Sequence, residues 1–107
     1  MEKRRFKRVK LRVKAHFRCR GASGRDVITR DLSVKGAFLE SDRRPPLGEV
    51  CDITFLLTDE DRVVERVRLK ARVVRREEGG FAVEFEEIPL PDFITLKRMV
   101  ALNDTGS

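Results

Sequence analysis

Two clusters in this 107-residue sequence carry side chains that could do chemistry. Arg4-Arg5-Phe6-Lys7-Arg8 has RxxxR spacing and lies just before the first apolar-alternating segment. Asp31-Leu32-Ser33-Val34-Lys35-Gly36 has DxSxxG spacing and follows the second such segment. Arg4, Arg5 and Arg8 offer planar guanidinium forks, which pair bidentately with phosphate oxygens or with the O6/N7 edge of guanine. Asp31 offers an acceptor for the N1–H and N2–H₂ donors of guanine, or for an arginine. Ser33 adds a hydroxyl, and Gly36 allows close approach to the backbone. Together these residues describe a site for an anionic guanine nucleotide. Singly each has a plainer reading: basic arms often contain RxxxR, and Asp, Ser and Gly close ordinary turns through their own hydrogen bonds.

The elements that position them read as follows. From Val9 to Arg20, apolar residues (Val9, Leu11, Val13, Ala15, Phe17, Cys19) alternate without a break with polar ones, the pattern of a strand with one buried face. Gly21 to Gly24 reads as a turn. Asp26–Arg30 reads as a second strand, and Ala37, Phe38 and Leu39 open a third, which Pro45 and Pro46 interrupt. Val50–Leu57 and Val63–Arg76 give a fourth and a long fifth strand, and Phe81 to Phe85 a sixth. The period then changes: Asp92–Asn103 fits a helix, with Phe93, Leu96, Met99 and Val100 on one side. The expected fold class is all-β, a small six-stranded antiparallel barrel of split-barrel type, closed so that no sheet edge is left, with one C-terminal α-helix over an open end. In domain terms, residues 1–8 form a flexible basic arm, 9–103 the barrel with its helix over 92–103, and 104–107 a tail. Strands one and two run antiparallel, so the end of the second returns to the level where the first begins. The two motifs should therefore be neighbours in space.

Composition narrows the function. Charged residues make up 39% of the chain, against about 25% in an average domain. The net charge of +6 is unevenly placed: residues 1–30 hold 12 Lys/Arg and 2 Asp/Glu, the remainder 12 and 16. Such a basic leader suits a polyanion, or is simply a solvated tail. No apolar run approaches the ~20 residues of a membrane span, and no signal-type stretch follows the N-terminus. Cys19 and Cys51 read as two lone thiols that fit a reducing cytoplasm. One His and two Cys do not make an ordinary zinc site, so no metal is expected. His16 stands alone on a basic strand face with no nucleophile at motif spacing, so neither catalytic residues nor a cofactor are expected.

The sequence resembles the PilZ domain, the bacterial receptor module for the second messenger cyclic di-GMP. Glu2 to Val9 is similar to the family's arginine loop, Asp31 to Ala37 fits its (D/N)xSxxG motif at every defined position, and Gly80-Phe81-Ala82-Val83-Glu84-Phe85 resembles its last strand. The likeness covers nearly the whole chain, as a stand-alone domain. It implies that Arg4 and Arg8 reach phosphates and guanine Hoogsteen edges from a loop wrapped over the ligand, with Arg5 beside them. Asp31, Ser33 and Gly36 would lie beneath the ligand. Lys3, which precedes RxxxR, makes a bound ligand dimer conceivable, and Lys7, Lys35 and Arg75 are further expected contacts. Some members carry an aromatic near the guanine, where this chain has Val73, Val74 and Arg75. The expected partners are cyclic di-GMP and a downstream protein effector, the expected location is the cytoplasm, and no stable membrane insertion is expected. The competing reading is sequence-independent nucleic-acid binding by a basic β-barrel, using Lys10, Arg12 and Lys14 on strand one.

Overall fold

Alternation of apolar and charged residues dictates the architecture. In this computed structural model, which describes residues 11–60 and 62–105 with side chains to Leu102, six antiparallel strands close into a barrel. They are β1 (Leu11–Cys19), β2 (Ala22–Arg30), β3 (Gly36–Glu40), β4 (Val50–Asp59), β5 (Arg62–Glu77) and β6 (Gly80–Phe85). One helix, α1 (Leu90–Thr105), follows them. Around the barrel the order is β1-β2-β3-β6-β5-β4, with β4 bonded back to β1. Inward residues alternate as the sequence predicts. Val13, Ala15 and Phe17 of β1 meet Ile53, Phe55 and Leu57 of β4, and Val67, Leu69, Ala71 and Val73 of β5 continue the same core. Phe81 packs edge-on against Phe17 with ring centroids 5.0 Å apart, and Phe55 packs likewise on Phe85 at 5.6 Å. Each fully buried Phe contributes about 1.5–3 kcal/mol by leaving water, and each pair of this geometry about 0.5–1.5 kcal/mol more.

The helix closes one end of the barrel. Leu96 and Met99 are fully buried, and Phe93 and Val100 are half-buried at the same face. Arg98 donates to Glu65 of β5 at 2.9 Å and so ties the helix to the rim. The helix begins two residues earlier than the sequence indicates, with Leu90 and Pro91 inside its first turn. Pro at that point costs nothing, because the missing N–H would be unsatisfied there anyway.

Two sequence expectations change. The β1–β2 turn is not Gly21 to Gly24 but only Arg20-Gly21, with Gly21 at φ 83°, a conformation that suits glycine. β2 therefore starts at Ala22, and the surplus length is taken up in a bulge. Ala15 pairs with Val27 and Phe17 with Gly24, so Arg25 and Asp26 together face His16. Asp26 is held at φ 54°, and its N–H donates to His16 Nδ1 at 3.0 Å. Nor are the cysteines lone thiols. Arg18 pairs with Asp52, so Cys19 and Cys51 stand directly opposite on β1 and β4, with Cα atoms 4.5 Å apart, and are joined as a disulfide. Their separation of 32 residues hid a contact that only the β1–β4 pairing creates.

Among the described residues no helix is long and apolar enough to cross a membrane.

Candidate functional site

The DxSxxG segment forms the bend from β2 into β3, and each of its motif residues sits there for a different physical reason. Ser33 closes the bend upon itself. Its hydroxyl accepts from the N–H of Lys35 at 3.1 Å and of Gly36 at 3.3 Å, while its own N–H donates to the Gly36 carbonyl at 2.9 Å. Gly36 lies where β3 runs against β6. A Cβ at this position would collide with the backbone carbonyl oxygen of Val83, so glycine is demanded by strand approach. Asp31 is different. It is exposed, holds the left-handed conformation at φ 52°, and its carboxylate makes no hydrogen bond or ion pair with any described residue. Of the three, only Asp31 has a side chain that no described residue engages.

These residues border an open cavity of about 240 Å³ on the outer surface of β3, β6 and β5. Register explains its shape. Arg30 of β2, Phe38 of β3, Ala82 of β6 and Arg75 of β5 form one outward row. Gly36 and Glu84 form the next. The cavity exists because Gly36 and Ala82 are the small residues of this face. Lys35 and Val74 complete its rim, the latter in a bulge between Val73 and Arg75.

Phe38 is the site residue that the sequence reading missed. It is an outward residue, flanked by the inward Ala37 and Leu39, yet only 3% exposed. The Arg30 guanidinium lies 4.3 Å from its ring centroid and is also paired with Glu40 at 3.2 Å. With Ala37 and Leu39 inward, Phe38 points out, and its ring is the platform on which the Arg30 guanidinium lies.

The charges of this ledge nearly cancel. Arg75 is paired with Glu77 at 2.5 Å and Arg30 with Glu40, leaving Lys35 against Asp31 and Glu84. The ledge by itself has no cationic excess for an anion. The arm residues Lys3, Arg4, Arg5, Lys7 and Arg8 lie outside the described residues. Chain direction still constrains where the arm enters. Lys14 pairs with Ile28 in an antiparallel ladder, so the Leu11 end of β1 and the Arg30 end of β2 lie at the same end of the barrel.

A family model described as PilZ domain matches residues 2–102. The chain belongs to the PilZ domain family. That family is a cyclic di-GMP receptor module, and its domains are binding modules rather than enzymes. Comparison with curated proteins gives no match. The span matched takes in both motifs, the whole barrel of this PilZ domain and nearly all of the helix.

Proposed function

We propose that this PilZ domain binds cyclic di-GMP between its N-terminal arginines and the Asp31–Gly36 ledge, and passes the signal on by ordering of the arm and a changed surface for a protein partner. The observation that carries this reading is the Asp31 carboxylate, without a partner among the described residues, at the rim of an open cavity. Asp31 accepts from the guanine N1–H and N2–H₂ edge. The exposed Arg30 plane, backed by the Phe38 ring, supplies the stacking that β5 does not. Arg4, Arg5 and Arg8 neutralise the two phosphates, a task that the charge-balanced ledge leaves to them.

Magnitudes support a shared site. One charged hydrogen bond from each of three arginines contributes roughly 4.5–9 kcal/mol. Ordering five arm residues opposes this with roughly 5–10 kcal/mol. Micromolar affinity requires about 8 kcal/mol, so the ledge must contribute. Calorimetric titration of the pure protein with cyclic di-GMP, with GTP and a short RNA as controls, tests the reading. Saturable binding of cyclic di-GMP alone is the expected result, with a heat that falls sharply in Asp31→Ala. Equal binding of the RNA, steeply weakened by salt, would favour the nucleic-acid reading instead.

A further inference from the structure

On the side of the barrel away from the ledge, β4 runs between β1 and β5 and is flanked by cations on both. Arg12, Lys14 and Arg18 point outward from β1, and Arg66 and Arg68 from β5. The strand between them presents Thr54, Leu56 and Asp52 outward. The two cationic rails are thus about 9.5 Å apart, with outward positions about every 6.8 Å along each; on β1, His16 stands between Lys14 and Arg18. Unlike Arg30, Arg72 and Arg75 near the ledge, none of these five cations is in an ion pair with a described residue. The β2 bulge adds Arg25 beside an open cavity of about 330 Å³ that His16, Arg18, Thr54 and Arg68 also line. Because His16 Nδ1 accepts from the backbone of Asp26, its Nε2–H remains as a donor at this cavity. Arg18 and Arg68 attract the Asp52 carboxylate, which is bonded to Lys70; the clustered like charges still repel one another and gain from a complementary surface.

We infer that the β1–β4–β5 face docks an acidic, extended segment of a protein partner, with carboxylates on alternate residues lying along the two rails. An extended chain places side chains of one face about 6.8 Å apart, the same repeat as the rails. A nucleic-acid strand fits less well on two counts. The outward or exposed apolar residues of this face, Leu56 of β4 and Val63 and Val64 of β5, are aliphatic, so bases have no ring to stack on. Asp52, held ionised by the Lys70 ammonium at 2.9 Å, interrupts the row between Arg18 and Lys70. A phosphate backbone would have to cross that carboxylate, whereas a peptide can set a neutral residue there. β4 lies across the barrel from β3, so this docking leaves the ledge open, and partner and nucleotide can bind together.

The test is fluorescence anisotropy of the full chain with a labelled alternating Glu-Ser peptide and, separately, a labelled oligothymidine, at low and moderate salt. Arg18→Glu/Arg68→Glu is expected to weaken the peptide at least about tenfold and to leave cyclic di-GMP affinity as in the wild type. Arg43→Glu/Lys97→Glu changes net charge equally but lies off this face, and is expected to change peptide binding less than about threefold. Arg18→Gln/Arg68→Gln repeats the comparison with a milder change should the charge reversal lower Tm. Equal loss in the two charge-reversal variants would reduce the effect to bulk charge and overturn the inference. Tighter binding of oligothymidine than of the peptide, lost in Arg18→Glu/Arg68→Glu, would overturn it in favour of a nucleic-acid surface.

Discussion

Arg8→Ala is expected to weaken cyclic di-GMP binding by at least about tenfold while leaving the fold intact, and Arg4→Ala to do the same. The reasoning runs through charge. The ligand carries two phosphates, and the ledge has its arginines already committed: Arg75 to Glu77, Arg30 to Glu40 and to the face of Phe38. What remains, Lys35 with Asp31 and Glu84, gives no net attraction for an anion. Attraction must then come from outside the barrel, and the sequence places three arginines within the eight residues that begin the chain. Each guanidinium that forms a charged hydrogen bond contributes about 1.5–3 kcal/mol, which is a factor of ten or more in affinity. Arginine-to-alanine changes outside the alternating core pattern usually alter stability little, so thermal stability should stay within about 0.5 kcal/mol of the wild type. Calorimetry paired with a melting curve checks both parts. Wild-type affinity in both single variants would remove the arm from the site.

Gly36→Ala should have the largest effect on stability of any change within the two motifs. The added Cβ would occupy the place of the Val83 carbonyl oxygen, which is backbone and cannot rotate aside. β3 would have to separate from β6 along the pairs Gly36–Glu84 and Ala37–Val83. Overpacking of this kind costs about 3 kcal/mol or more, and for a domain of this size lowers Tm by more than about 10 °C. Ligand binding should fall with it, because the cavity lies on those two strands. Asp31→Ala provides the contrast: binding is lost while Tm is kept. A Gly36→Ala protein that melts like the wild type would show that the glycine serves the ligand rather than the strands.

The barrel was legible in the sequence because its core is built by strict alternation. The run from Val9 to Arg20 and the Val67-Leu69-Ala71-Val73 series predict both the strands and their inward faces, and the shift to helical spacing after Pro91 locates α1. What was not legible depends on pairing between distant strands. The start of β2 at Ala22 follows from a two-residue hairpin and a compensating bulge, and composition rich in Gly and Ser concealed it. The Cys19–Cys51 link needs the β1–β4 register, which no local pattern reports. The site shows the same division. Asp31, Ser33 and Gly36 were found by type and spacing, but only the structure separates Asp31, whose carboxylate meets no partner among the described residues, from Ser33, which closes the bend, and Gly36, which lets two strands meet. Phe38 escaped because its neighbours are apolar too, and a run of three apolar residues does not announce which one faces out.

The central claim is that ligand is held by arm and ledge at once. Amide hydrogen exchange with and without saturating cyclic di-GMP tests it most directly. The account predicts slowed exchange in two separated segments, residues 3–8 and residues 32–36, at the same ligand concentration. Unchanged exchange in residues 3–8 while the nucleotide is bound would contradict it.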